Sequence, residues 1–186
     1  MLAYKFEKVS KFKDQDFNMP RRKTTGSAGY DFVVVEDTII PPYNQLMANL
    51  DYAIFKDNDK PEEAYDLNKI AALTKATGAK PTLVSTGVKA YMPKDIYLEL
   101  SVRSSCPLKY WIIMANGVGI IDSDYADNSD NEGEIFFQLI NLSPVPIILH
   151  KGDIIGQGIF KPYFKTESDS DSHKEVRMGG FGSTSK

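Results

Sequence analysis

The stretch Gly117-Val-Gly-Ile-Ile-Asp-Ser-Asp-Tyr125 decides how this chain is read. A short apolar run turns sharply and ends in an Asp-x-Asp-Tyr cluster, which is the pattern of a buried strand reaching the surface. Its glycines let the backbone approach a ligand closely, because no Cβ stands in the way. The flanking apolar residues make the segment rigid, so two carboxylates and a phenol are held in place. A buried strand that ends in such groups is a site candidate. Taken alone, the stretch reads equally well as a strand-to-turn junction, since Asp and Ser are common turn formers.

Outward from it the chain is built of short β-rich runs. Strands are expected at Ala3–Val9, Tyr30–Val35, Gln45–Phe55, Leu83–Tyr91, Ile96–Val102, Trp111–Met114, Gly117–Ile121, Glu134–Asn141, Ile147–Leu149 and Ile154–Phe164. Breakers separate them: Pro41-Pro42, Pro93, Pro144 with Pro146, and Lys151-Gly152-Asp153. This punctuation argues an all-β sandwich or barrel. One segment departs from it. Between Pro61 and Thr77, Ala64, Leu67, Ile70, Ala71 and Leu73 lie close to helical spacing, with Asp59 as a cap, Pro61 in a first turn and Gly78 as the stop. A single amphipathic helix is therefore expected inside a β protein, packed over a sheet edge. The polar stretches Ala126–Gly133 and Thr166–Lys174 read as a mobile acidic hairpin tip and a solvated linker.

Composition sets the outer limits. A chain of 186 residues with 42% hydrophobic and 25% charged residues fits one ordinary globular domain. A net charge of −3 and a pI of about 5.4 give no basic field for a nucleic acid polymer, while a small phosphorylated ligand needs only local cations or a metal. The single cysteine, Cys106, excludes an internal disulfide and a cysteine-built zinc site, and it suits the reducing cytoplasm. The charged, alternating N-terminus is neither a signal peptide nor an anchor, and no apolar run reaches membrane-spanning length.

Four further motifs could carry chemistry, each with a plainer reading beside it. Arg103-Ser104-Ser105 follows a strand directly and could clamp phosphate through the guanidinium fork, or Arg103 could form a surface ion pair. Ala28-Gly29-Tyr30-Asp31 places a carboxylate at a strand start, where it could hold metal-bound water or cap a turn. Gln157, at the end of Lys151–Gln157, could position water or phosphate, or close a backbone bond. The tail Gly179-Gly-Phe-Gly-Ser-Thr184 cannot fold alone, yet its Phe could stack on a base for roughly 1–3 kcal/mol while its hydroxyls and amides bind phosphate. Otherwise it is an ordinary disordered end.

In their order along one chain, AGYD at 28–31, RSS at 103–105, GVGIIDSDY at 117–125, KGDIIGQ at 151–157 and GGFGST at 179–184 resemble the five motifs of the trimeric dUTPases. The resemblance implies a distorted jelly-roll β-barrel forming a homotrimer, with three sites at subunit boundaries and a mobile C-terminal arm over each. It implies a β domain over residues 1–165 with a helical insertion at about 52–80, and a linker and arm over 166–186. The implied reaction is hydrolysis of dUTP to dUMP and pyrophosphate with Mg2+.

Residue by residue, Asp122 matches the catalytic aspartate that orients and activates water. An ordinary Asp, with a pKa of about 3.9, is a weak base, so positioning and a polarised α-phosphate must supply much of the rate. Tyr125 matches the ring under the deoxyribose that excludes a 2′-hydroxyl. Backbone groups around Asn116, Gly119 and Ile121 match the reader of the uracil edge. Arg103, Ser104, Ser105 and Gln157 match phosphate and water contacts, and Asp31 matches the carboxylate that reaches the metal through water. Phe181 matches the ring stacked on uracil, with Gly182, Ser183 and Thr184 near the γ-phosphate and Arg177 as the tail arginine.

The chain also departs from the family's pattern. Arg177 sits closer to the paired glycines than usual, Ile154 stands where the fourth motif usually has Arg, Ser185 replaces a glycine, and the tip at 126–133 is long. The 52–80 insertion offers surface for a regulatory protein partner, as in some phage members of the family. Two alternatives share the fold. A dCTP deaminase would need a glutamate where this chain has Gln138, and a dUTP-binding regulator with reduced turnover would not need Asp122, Tyr125 and Gln157 intact.

Overall fold

The computed structural model describes residues 4–55, 65–169 and 179–180. Alternation writes the central sheet. Strand β6 (Ile96–Val102) buries Ile96, Leu98 and Leu100 and turns Tyr97, Glu99 and Ser101 to the other face. It pairs antiparallel with β8 (Gly119–Ile121) on one side and β11 (Ile154–Pro162) on the other, and β11 pairs with β2 (Tyr30–Val33). The resulting order is β2-β11-β6-β8.

A second sheet has the order β4-β9-β7, from β4 (Thr82–Ser85), β9 (Phe136–Asn141) and β7 (Ile112–Met114). Its inward Val84, Phe137 and Leu139 meet Phe32, Leu98 and Leu100 in one core, where the Phe32 and Phe137 rings lie 5.7 Å apart. Each fully buried side chain of this size stabilises the fold by about 1.5–3 kcal/mol. Two small antiparallel pairs complete the architecture: β1 (Lys5–Lys8) with β5 (Val88–Tyr91), and β3 (Thr38–Ile40) with β10 (Ile147–Leu149). The fold is all-β and of the jelly-roll type, with helices added.

Those helices correct the sequence reading. Gln45–Phe55, expected as a strand, lies within helix α1 (Tyr43–Phe55). Leu46, Met47, Leu50, Ala53 and Ile54 are its half-buried positions, which is a helical stripe rather than an alternating one. A second helix, α2 (Leu67–Thr77), is shorter than the 61–77 expected. Its cap is Asp66, whose carboxylate accepts from the Lys69 backbone N–H at 2.8 Å, and Gly78 ends it at φ 68° as expected. Asp59, Pro61 and Ala64 lie outside the described residues. Helix α1 thus runs into the start of the 52–80 insertion and α2 lies within it; the two contact each other, and neither buries a residue in the core. A third helix, α3 (Ser105–Tyr110), was not anticipated; Pro107 fits its first turn, and Trp111 stops it in the left-handed region at φ 57°, so the next strand begins at Ile112.

The expected strand at 83–91 is broken into β4 and β5 at Gly87, whose φ of 67° only glycine adopts without strain. Beyond β11 the described chain continues to Asp169 and includes Gly179 and Gly180. Among the described residues no helix is long and apolar enough to cross a membrane.

Candidate active site

Two groups of site residues are built on the β2-β11-β6-β8 sheet. The first is a polar row across three strands. A bulge in β11 between Ile154 and Gly156 inserts one extra residue and sets Gln157 opposite both Asp31 on β2 and Ser101 on β6. Directly paired residues share a face. Gln157 Nε2 donates to Ser101 Oγ at 3.5 Å, and Arg103 Nε lies 3.6 Å from Asp31 Oδ1. The Asp31 side chain is only 12% exposed and that of Arg103 34%.

Glycines make room for this row. A Cβ on Gly29 would stand 2.4 Å from Gln157 Oε1, and one on Gly156 would stand 2.1 Å from the Phe137 ring. Gln157 therefore faces out between residues that let a carbonyl and a core aromatic approach. Ser104 is exposed just before α3, and Ser105 begins that helix. Arg103 and Ser105 line a cavity of about 350 Å3 together with Asp153 and Ile155.

The second group surrounds a smaller cavity of about 190 Å3 lined by Leu100, Met114, Asn116, Gly119, Ile121, Tyr125 and Gln138 among others. The turn Asn116-Gly117 enters it, with Gly117 at φ 71° and the Val118 N–H donating to the Asn116 carbonyl at 2.8 Å. A Cβ on Gly119 would meet Leu100 and Met114 at 3.2 Å, so the backbone here forms a tight wall. Asp122, half-buried, follows β8 directly, and its carbonyl accepts from the Tyr125 N–H at 3.1 Å. Asp124 is exposed in the turn between them.

The loop after Tyr125 was expected as a mobile tip, and the structure instead closes it with hydrogen bonds. Gly133 forms the neck at φ 81°, where a Cβ would stand 2.6 Å from Ala126 Cα. Asn128 and Asn131 span the interior, and Asn131 Nδ2 donates to Tyr125 Oη at 2.8 Å. Tyr125 Oη in turn donates to the Glu134 carbonyl at 3.1 Å. At the outer end, the nearly buried Lys89 ammonium binds Asp127 Oδ1 at 2.5 Å and Glu132 Oε1 at 2.8 Å.

Hydrogen bonding from Lys89 and the Ser10 backbone N–H pulls the Glu132 carboxyl down to about 2, and Lys89 likewise lowers Asp127. For Lys89, burial favours the neutral amine, but its acidic partners outweigh that and raise its pKa. Carboxylates with depressed folded-state pKa values contribute stability above their unfolded value, 4.5 for Glu132, and lose it as pH falls toward about 2. The urea-midpoint advantage of wild type over Lys89→Met is expected in full at about pH 5 and to shrink steadily toward pH 2. A constant difference would contradict the clip.

The structure thus brings Asp31, Arg103 and Gln157 together, and separately gathers Asn116, Gly119, Ile121 and Tyr125, with Asp122 leading out of β8. Arg177, Phe181, Gly182, Ser183 and Thr184 lie outside the described residues. Ser101, which shares the polar row, was missed because a serine in an alternating strand carries no signal of its own. Asn131 was missed because it sits in a stretch whose composition reads as solvated.

Within one chain the level of Asp122 on the sheet is far from that of Gln157. Ile121 pairs with Leu98, so Asp122 continues toward the level of Tyr97, whereas Gln157 pairs with Ser101. Four residues along β6 amount to about 13 Å.

Comparison with known proteins agrees with this architecture. A family model described as dUTPase matches residues 53–185. The deoxyuridine 5'-triphosphate nucleotidohydrolase of Lactococcus lactis subsp. lactis (strain IL1403) is 34% identical over 179 residues, covering 96% of this chain and 95% of that protein. Its counterpart in Hydrogenobaculum sp. (strain Y04AAS1) is 37% identical over 174 residues, covering 91% and 92%. The solved dUTPase from Streptococcus mutans superposes with a TM-score of 0.65 at 31% identity, over 88% of this chain and 98% of that one. A dUTPase from phage phi11 of S. aureus, described with a species-specific insert, shares the fold at 14% identity with a TM-score of 0.59, over 94% and 99%.

Proposed function

The chain belongs to the dUTPase family and hydrolyses dUTP, and from that premise we propose that its active site is completed between copies of the chain in a homotrimer. The observation that carries this is the separation of about 13 Å along β6 between the level of Asp122 and that of Gln157. Asp122 and Gln157 can act on one water at one α-phosphate only if a second chain brings its polar row to the first chain's pocket. Exposed apolar residues support assembly: Ile39 and Ile148, paired across β3 and β10, are 62% and 53% exposed, and Trp111 is 63% exposed.

In this reading the pocket at Asn116, Gly119 and Ile121 takes uracil through backbone groups, and its tight wall excludes a 5-methyl group. Tyr125 packs under the deoxyribose. From the other chain, Arg103, Ser104 and Ser105 bind phosphate oxygens, and Gln157, held by Ser101, orients the α-phosphate and the attacking water. Asp122 accepts the water's proton as its oxygen bonds to the α-phosphorus. The bond from that phosphorus to the bridging oxygen then breaks, and pyrophosphate leaves with the electron pair. Arg177, Phe181, Gly182, Ser183 and Thr184 close over the base and terminal phosphates.

Among the described residues no three His, Cys, Asp or Glu side chains cluster as a protein-built metal cage would require. A lone carboxylate, Asp31, beside Arg103 would hold Mg2+ only through water, and a bound ion there would supply charge neutralisation for the leaving pyrophosphate. The deaminase alternative finds no support in the pocket, where Gln138 offers an amide rather than a proton-cycling carboxyl. The helices α1 and α2, with Tyr52 73% and Leu67 88% exposed, are the surface proposed for a protein partner, and the cytoplasm is the proposed location.

A substrate panel tests the reading of the pocket. With Mg2+, dUTP should release pyrophosphate while dTTP, dCTP and UTP release almost none, and dCTP should yield no ammonia. Comparable pyrophosphate from UTP would remove the role assigned to Tyr125.

A further inference from the structure

We infer that Asn131 is a specificity-positioning residue, setting the Tyr125 ring that separates deoxyribose from ribose. This rests on the reading of Tyr125 as the wall under the sugar. A steric filter rejects a single added hydroxyl only if the wall cannot tilt away from it. Tyr125 is 6% exposed and lines the pocket, so the rigidity of that wall depends on what holds the hydroxyl end.

That end is held from two sides. Tyr125 Oη donates to the Glu134 carbonyl and accepts from Asn131 Nδ2. The amide's orientation follows from its other partners: Asn131 Oδ1 accepts from Asn128 Nδ2 at 2.8 Å and from the Gly133 N–H at 3.1 Å, which leaves the NH2 group to face the phenol. Asn131 is itself fixed by a closed loop. The Glu132 N–H donates to the Asn128 carbonyl, the Asp127 N–H donates to the Glu132 carbonyl, and Lys89 joins the side chains of Asp127 and Glu132. The same junction meets the C-terminal segment, since a Cβ on Gly180 would stand 3.0 Å from Tyr125 Oη and 3.4 Å from Asn131 Nδ2. One amide thus links the sugar wall and the loop, with Gly180 packed beside both.

The test is a double-mutant cycle read as the ratio of kcat/KM for dUTP to that for UTP. Asn131→Asp keeps the acceptor oxygen that closes the loop and removes the N–H that reaches Tyr125; Asn131→Ala removes both. Each should lower the ratio about five-fold, the factor supplied by one neutral hydrogen bond. In a Tyr125→Phe background, which has no hydroxyl to hold, the same Asn131 substitutions should change the ratio no further. An unchanged ratio in Asn131→Asp and Asn131→Ala, or equal effects in the two backgrounds, would overturn the inference. Tyr125→Ala separates the two layers. If it collapses the ratio while the Asn131 variants do not, only the positioning role fails; if it leaves the ratio intact, the sugar-wall reading fails and the inference with it.

Discussion

Asp122→Asn should abolish turnover of dUTP, lowering kcat by about 10³–10⁴-fold while leaving dUTP affinity within a few-fold of wild type. The substitution keeps the shape and the backbone hydrogen bond from Tyr125 to the residue 122 carbonyl, so the turn after β8 should persist. What is lost is the acceptor for the water's proton, because an amide oxygen is too weak a base to take a proton near neutral pH. Binding should survive because the pocket lined by Asn116, Gly119 and Tyr125 does not depend on the carboxylate. Pyrophosphate release and calorimetric titration with a non-hydrolysable dUTP analogue measure the two quantities separately. A loss in kcat of less than about tenfold would mean that another group accepts the proton.

The parts of this molecule that were legible in the sequence are those whose cause is local. Alternation in Ile96–Val102 predicts β6 without help, and Gly78 marks the end of α2 because only its own φ matters. Helix α1 was misread because Tyr52, Ile54 and Phe55 have strand-forming side chains, and the stripe through Leu46, Leu50 and Ile54 has the competing period. The loop after Tyr125 was misread for a different reason. Its composition is that of a solvated tip, but Asn128 and Asn131 turn their amides inward, and its outer end is clipped by Lys89 on β5, far away in sequence and invisible to any local window. The site divides along the same line. The order of the five motifs can be read from the chain, whereas the row Asp31–Gln157–Ser101 depends on a bulge in β11 that shifts the register by one residue. Gly156 within the strand is a signal for a bulge or a close approach, but which register the bulge sets shows only when the strands are paired.

A separation of about 13 Å within the chain makes a second large effect expected, one that distinguishes a shared site from a self-contained one. Asp122→Asn and Arg103→Ala chains should each be nearly inactive alone, since one lacks the base and the other the guanidinium beside Asp31. Co-expressed in equal amounts, they should regain roughly a quarter of wild-type activity. In a randomly mixed trimer, a site that takes Asp122 from one chain and Arg103 from its neighbour receives both intact residues about one time in four. If every site used both residues from the same chain, no mixed site would be whole and the mixture would stay as inactive as its components. The test changes neither the arm nor the insertion, because positions 103 and 122 lie outside both 52–80 and 166–186. It also needs no structure of the assembly, since restored pyrophosphate release can come only from sites that two different chains complete together.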